Sequence, residues 1–449
     1  MSLHHYSLTA ATDRAFTAIK EHALQTAWQP LCNLARYGVL NLMARARVGR
    51  LRVESPNGTW EFGDGNAKEH IELKVIREVF WLRLALFSDM GFAEAYMSGD
   101  VECSDLVGLI DWFILNRDHL NGMNNLYSSV YQAFQYLANS RFANTLSNTM
   151  GNISAHYDIS NDMFASFLDE TMTYSSAYWL TPQDTLEEGQ KQKLRKVIEL
   201  ARLTATDHVL EIGTGWGSFA IEAVKSTGCR VTTVTLSKEQ KQLAEERIAA
   251  AGLASQIKVL LCDYREIPAS HQYDKIVSIE MIEAVGQRFL PTYFEQCHRL
   301  LKRQGGILVM QAITMPEARY KSYCREVDFI RKYIFPGGHA PTVTALLNAA
   351  YEGTQGGLQP DQVLNFGPHY ARTLRLWREQ FLSAFGKRIG PALQERYPDI
   401  GAPELEVFRR KWEYYFAYCE GGYRAGTLGV HWLVFKRESD AQFVQGVPL

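Results

Sequence analysis

Residues 209–220, VLEIGTGWGSFA, limit what this chain can fold into more than any other stretch. Aliphatic residues lead into Glu211, and Gly213, Gly215 and Gly217 follow before what reads as a helix. This is the sequence form of a strand, a tight turn and a helix N-terminus, the usual ligand position in an open α/β sheet. Glycines at such a turn let the backbone approach a ligand and adopt dihedrals closed to other residues. The Gly-x-Gly-x-Gly spacing leans toward a nucleoside cofactor without a pyrophosphate.

The flanking sequence supplies the rest of such a sheet. Strands are expected at 207–213, 229–237, 256–264, 273–279 and 307–313, with a closing strand at about 428–436. Helical patterns intervene at 186–200, at 215–226 and over KEQKQLAEERIAAAG, which Gly252 ends, and a further helix at 403–420 carries Leu405, Phe408, Trp412 and Phe416 on one side. Aliphatic strands alternating with helices imply a doubly wound, largely parallel sheet. Upstream, residues 12–47 hold helical periodicity, Leu51–Trp60 reads as a hairpin turned at PNG, 71–90 is a mixed sheet-to-helix pattern, and 104–117 is helical. These describe a small α+β domain with Trp81, Trp112 and Phe113 as core. A length of 449 residues suits two domains. The boundary is placed near residue 145, after an amide- and aromatic-rich stretch at 120–150.

A net charge of −2 argues against a nucleic-acid partner. The seven cysteines are dispersed and form no CxxC pair, so no metal site is expected. MSLHHYSLTA lacks the basic start and apolar core of a signal peptide, and no run of about 18 apolar residues occurs. Contact with lipid is therefore expected to be peripheral.

HYDISNDMFASFLDETMTYSSAYW (156–179), LEIGTGWGSFA (210–220), VTLSKEQ (234–240), CDYRE (262–266), IEMIEAVG (279–286), YIFPGG (333–338) and NFGPHYARTLRLW (365–377) occur in this order. In them the chain resembles the cyclopropane-fatty-acid-synthase family of S-adenosylmethionine-dependent methyltransferases. MGFAEAYMSGD, within Leu51–Asn116, is similar to the N-terminal domain of the longer bacterial members. The resemblance implies a seven-stranded methyltransferase sheet in a domain at 146–449 and a smaller N-terminal α+β domain at 1–145, the latter with lipid or dimer contacts.

By resemblance, Gly213 and Gly215 pass close to the methionyl part of the cofactor, near Glu211. Thr235 and Gln240 contact the ribose region, Asp263 and Tyr264 form the adenine-binding element, and Tyr174 and Ser175 flank the sulfonium and carboxylate end. His156 and Tyr157 belong to the segment folding over the cofactor. Read from the residues alone, Ser237 is equally a helix cap with its capping box at Gln240, Asp263 caps a turn, Glu283 is a solvated helix-terminal carboxylate, and Tyr370 is a core tyrosine. Trp179, Phe335 and the following GGH read either as walls of an acyl channel or as ordinary packing. GGHAP at 337–341 has a flexible start and a rigid end, as a lid would.

The chemistry implied is attack of an alkene on an activated methyl group, giving a carbocation that must lose a proton. Loss from the new methyl closes a cyclopropane, and loss from a neighbouring carbon leaves a branched olefin. In the family, bicarbonate acts as base, held by a cysteine, a glutamate, a histidine, a tyrosine hydroxyl and a backbone carbonyl. Glu283, Tyr370 and Ile313 match the glutamate, the tyrosine and the carbonyl donor. Ser176 stands at the cysteine and Gln311 at the histidine. Three outcomes stay open: weaker bicarbonate binding through neutral hydrogen bonds, proton removal by Glu283 itself or through water, or redirected proton loss giving a chain without a ring. The implied substrate is an unsaturated phospholipid acyl chain. The implied location is cytoplasmic, peripherally on the inner face of the membrane, with 120–142 and RRKW at 409–412 as lipid-contact candidates. A homodimer stays open. The rival readings are a small-molecule methyltransferase on the same fold and a non-catalytic lipid- or cofactor-binding protein.

Overall fold

The computed structural model describes residues 29–66, 70–120, 160–268, 270 and 272–438. His156, Tyr157, the expected boundary near 145 and the 121–142 stretch lie outside them. The chain divides into two compact units, one of residues 1–156 with 401–414 and one of 157–400 with 415–449.

In the first unit the PNG turn forms as read. Strands β1 (Arg50–Ser55) and β2 (Gly58–Gly63) pair antiparallel, closing at Ser55 opposite Gly58. β3 (Ile71–Val75) adds parallel to β1 and β4 (Val101–Cys103) antiparallel to β3. Helices Val79–Ser98 and Leu106–Leu120 bury Trp81 and Trp112, while Phe113 stays half-buried.

The second unit holds a seven-stranded sheet. β5 (His208–Ile212), β6 (Arg230–Thr235), β7 (Ile257–Leu261), β8 (Lys275–Ile279) and β9 (Ile307–Thr314) run parallel, and β11 (Gly429–Arg437) lies antiparallel between β9 and the edge strand β10 (Leu358–Asn365), in the order β10-β11-β9-β8-β5-β6-β7. β5, β6, β8 and β9 bury nearly every residue, so they read as largely apolar runs, while the edge strand β7 buries only Ile257 and Val259. β10 was not foreseen. It is an edge strand with mostly exposed side chains, a proline and a register shift between Pro360 and Gln362, and it carries no hydrophobic signal.

From β5 the chain winds outward through β6 and β7, then crosses back to β8 and β9 on the other side. The two directions part between β5 and β8, and open α/β sheets take their ligands beyond the carboxyl ends of the strands at such a point. Leu210, Ile276, Leu308, Met310, Leu433 and Phe435 make the sheet's contribution to the core beneath it. The helix Leu186–Ala201 begins at a capping box between Thr185 and Glu188, and it buries Leu194, Val197 and Ile198 together with Gln190 and Lys193. Leu308 is fully buried in β9 between β8 and β11. Leu308→Ala is expected to lower unfolding free energy by about 2–5 kcal/mol in urea titration; a loss below about 1 kcal/mol would place this strand outside the core.

Candidate active site

The glycine turn leaves β5 with Gly213 and Thr214 donating their N–H groups to the Val234 carbonyl at 3.0 and 3.2 Å. Gly213, Gly215 and Gly217 all have positive φ, at 103°, 50° and 87°. A methyl group added at Gly215 would find no atom within 4 Å, so the turn faces open space on that side. Gly217 caps the helix Ser218–Thr227. Beneath the turn Glu211 is buried, its Oε2 has no hydrogen-bond partner, and burial pushes its carboxyl up to about 8.

Beside it lies a residue the sequence reading passed over. Lys193 sits on the apolar stripe of its helix and donates to Ser175 Oγ at 2.8 Å, while Gln190 Nε2 donates to the Ser175 carbonyl at 2.8 Å. Burial pulls the Lys193 ammonium down to about 8, against the opposing pull of Glu280, Asp169 and Glu211. A lysine among Leu194 and Val197 at helical spacing was the available signal.

The centre of the site is a second residue the sequence reading missed. Glu280 follows β8 with a φ of 47°, a left-handed conformation that costs a non-glycine residue on the order of 1 kcal/mol. Its Oε1 accepts from the Ser176 N–H at 3.0 Å and from Gln311 Nε2 at 2.7 Å, and its Oε2 accepts from the Tyr370 hydroxyl at 2.8 Å. Burial raises its pKa, and these donors and Lys193 pull it back. Glu283 lies three residues on. Its Oε1 accepts from the Ile313 N–H at 2.5 Å, its Oε2 has no partner, and its carbonyl accepts from the His339 N–H at 2.8 Å. Burial first, then the charge of Glu280, pushes the Glu283 carboxyl up to about 8. Both glutamates keep some accessible surface. Burial raises both carboxyls, and Glu280 has the larger set of donors to its ionised form.

Of the five expected base-holding residues, Ser176, Gln311 and Tyr370 thus meet on Glu280, and Ile313 and Glu283 bond each other. Gln311 is fixed at both ends, because its Oε1 accepts from Trp432 Nε1 at 2.9 Å. Ser176 reaches Glu280 through its backbone, while its hydroxyl donates to the Ala177 carbonyl at 3.0 Å. Ile313 was expected to offer its carbonyl and contributes its N–H to Glu283 instead.

Among the expected cofactor contacts, Ser237 caps the helix Lys238–Ala250 by accepting from the Gln240 N–H at 3.1 Å. The Gln240 side chain leaves the capping box and accepts from the Thr235 hydroxyl at 2.8 Å. Asp263 has both oxygens engaged by Arg265, which holds its carboxyl below the usual range, and it caps the turn Tyr264–Glu266. The Tyr264 ring meets Tyr293 edge-on at 5.2 Å. Tyr174 donates or accepts a 3.1 Å bond with Tyr415 and lies in a row of rings, Trp216–Phe164–Tyr174–Trp377–Tyr370, spaced 5.0, 4.9, 5.2 and 6.0 Å. The row runs from the glycine turn to the hydroxyl that holds Glu280. Trp179 is buried, with the Arg372 guanidinium 4.0 Å over its ring. Phe335 is 42% exposed and packs against Tyr174 and Tyr415.

RRKW departs from expectation. Arg409 and Arg410 pair with Glu406, Arg409 also pairs with Glu413, and Lys411 and Trp412 are buried, so the segment offers no free basic face.

An open glycine turn, an orphaned buried carboxylate oxygen and a row of aromatic rings fit a cationic nucleoside amino acid. Fold and site together define an S-adenosylmethionine-dependent methyltransferase. The family model for mycolic acid cyclopropane synthetase matches residues 144–433, and the chain belongs to that family. It is 45% identical over 294 residues to the tuberculostearic acid methyltransferase UfaA1 of Mycobacterium tuberculosis H37Rv, a match spanning 64% of this chain and 65% of that protein. It is 32% identical over 378 residues to the cyclopropane-fatty-acyl-phospholipid synthase of Escherichia coli K12, 83% of this chain and 89% of that one. Among solved structures, the mycolic acid cyclopropane synthase CmaA1 complexed with SAH and CTAB superposes with a TM-score of 0.55 at 29% identity, covering 64% of this chain and 98% of that one. S-adenosylmethionine is the cofactor.

Two variants separate binding from chemistry. Gly215→Val fills the open side of the turn and should abolish S-adenosylmethionine binding in calorimetry, whereas Glu283→Gln should bind it normally and turn over slowly; equal loss of affinity in both contradicts this division. Glu283 also has a pH signature. Its folded pKa of about 8 lies above the ordinary value of 4.5, so its contribution to stability is intact in acid and is lost as pH rises through about 8. The Tm advantage of Glu283→Gln over the parent should therefore grow between about pH 5 and pH 9.

Proposed function

We propose that this enzyme methylates the double bond of an unsaturated fatty acyl chain carried by a phospholipid, giving a cyclopropane or a methyl- or methylene-branched chain. The observation that carries the reading is the junction of the aromatic row with the carboxylate pair. Rings favour a cation above their faces, and an apolar chain that becomes a carbocation needs such walls together with a proton acceptor at one end. A small polar acceptor needs neither.

When bound, S-adenosylmethionine supplies an electrophilic methyl group and leaves as a neutral thioether. Gly213 and Gly215 would receive its methionyl part, Tyr174 and Ser175 its sulfonium end, Thr235 and Gln240 its ribose, and Asp263 and Tyr264 its base. The chain's own residues orient the alkene, exclude water through Tyr174, Trp377 and Tyr370, and present the glutamates to the cation.

Among the described residues no helix is long and apolar enough to cross a membrane, and a peripheral mode on the inner leaflet suits the substrate. Residues 325–335, REVDFIRKYIF, support it better than RRKW does. Val327 is 65% exposed and Phe335 42%, with Arg325 exposed beside Val327, and Phe335 touches Tyr174 in the middle of the aromatic row.

The decisive assay supplies methyl-labelled S-adenosylmethionine and vesicles containing a monounsaturated phospholipid, with NMR to separate ring from methylene isomers of equal mass. Labelled lipid of either kind supports the reading, and labelling confined to soluble acceptors overturns it. Val327→Asp should weaken co-sedimentation with anionic vesicles while leaving S-adenosylmethionine binding unchanged.

A further inference from the structure

The five residues expected to hold bicarbonate do not leave an anion place free. Ser176 through its N–H, Gln311 through Nε2 and Tyr370 through its hydroxyl all end on the Glu280 carboxylate, at 3.0, 2.7 and 2.8 Å. The Ile313 N–H is taken by Glu283. Gln311 cannot turn away to serve another ligand without breaking its bond to Trp432. A second anion would have to displace a covalently tethered one from the same donors, beside a carboxylate of the same sign.

We propose that the Glu280 carboxylate occupies the anion position itself and is this enzyme's own proton acceptor, so that the reaction proceeds without bicarbonate. The inference rests on the methyl-transfer reading above. A carboxylate presents the same planar O–C–O pair as bicarbonate and the same single charge. In the step assigned to it, one C–H bond of the methylated, cationic chain breaks. The electron pair of that bond becomes the new ring C–C bond or the new C=C bond, and the proton goes to a Glu280 oxygen. Cation and carboxylate are both neutralised, and the carboxyl releases its proton to water before the next turnover. Glu283 lies beside Glu280 and takes none of these three donors, its own Oε1 accepting from the Ile313 N–H. The three hydrogen bonds, and then the charge of Lys193, favour the ionised form of Glu280 against its burial. The left-handed backbone at Glu280 is the conformation that turns this side chain back onto the Ser176, Gln311 and Tyr370 donors.

The test compares the parent with Glu280→Gly and Glu280→Gln. Glycine suits the φ of 47° at this position, so Glu280→Gly should fold at least as well as the parent. In buffer freed of carbon dioxide the parent should keep full activity and be unmoved by added bicarbonate. Glu280→Gly should lose roughly 100-fold or more in turnover, as expected for a lost general base, and regain part of it with bicarbonate or formate. Glu280→Gln, with an amide filling the space, should be inactive and unrescued. Binding is read without turnover by the line width of carbon-13 bicarbonate in NMR, which Glu280→Gly should broaden and the parent should not. A parent that broadens that signal, or that stops when carbon dioxide is removed, overturns the proposal, as does a Glu280→Gly enzyme fully active without added anion. If the parent methylates no alkene, the functional reading falls on its own, and the bicarbonate comparison still decides who occupies the anion position.

Discussion

A carboxylate removed from water loses several kcal/mol of solvation unless donors replace it. Glu280 meets that requirement with donors drawn from segments 104, 31 and 90 residues away in sequence. Each donor is itself held. Trp432 fixes the Gln311 amide, and Tyr423 stacks on the Tyr370 ring at 4.6 Å. Gln190 and Lys193 brace Ser175, whose next peptide N–H reaches the carboxylate. The seven-stranded sheet is what brings these pieces to one point, since Glu280 follows β8 directly and Gln311 lies on the adjacent parallel strand β9, in register with Ile279.

The same fold sets the electrostatics. Glu211 and Glu280 lie near one buried ammonium, Lys193, Glu283 lies near Glu280, and burial raises the pKa of all three acids. A cationic cofactor entering beside Glu211 relieves that repulsion, and a cationic intermediate near Glu280 does so again. An acceptor without positive charge at any stage would gain nothing from this arrangement, which is why the charge pattern and the aromatic row point toward one kind of chemistry.

Much of this architecture was legible in the residues. The buried parallel strands, the glycine turn, the hairpin at PNG and the helix cap at Ser237 each follow from a local pattern that tertiary context does not override. β10 was illegible because an exposed edge strand has no periodicity to read. Glu280 escaped for a different reason. A glutamate ending a strand looks like a solvated turn residue, and only the convergence of distant donors makes it an internal anion. Lys193 was hidden because a lysine in a charged helix is ordinarily on the water side. Ser176 and Gln311 were singled out as departures, yet what they depart toward depends on a residue in neither motif.

The strand order carries a consequence for how the protein is made. β11, ending at Arg437, lies between β9 and β10 in the sheet, although β10 is synthesised more than 60 residues earlier. Until β11 has left the ribosome, β10 has no neighbour to pair with and β9 is an open edge. Trp432 is not yet there to turn the Gln311 amide toward Glu280. Although β5 and its glycine turn emerge early, the end of the site around Glu280 is completed only when β11 emerges, more than 200 residues later, so a chain released before that presents a cofactor turn without finished chemistry.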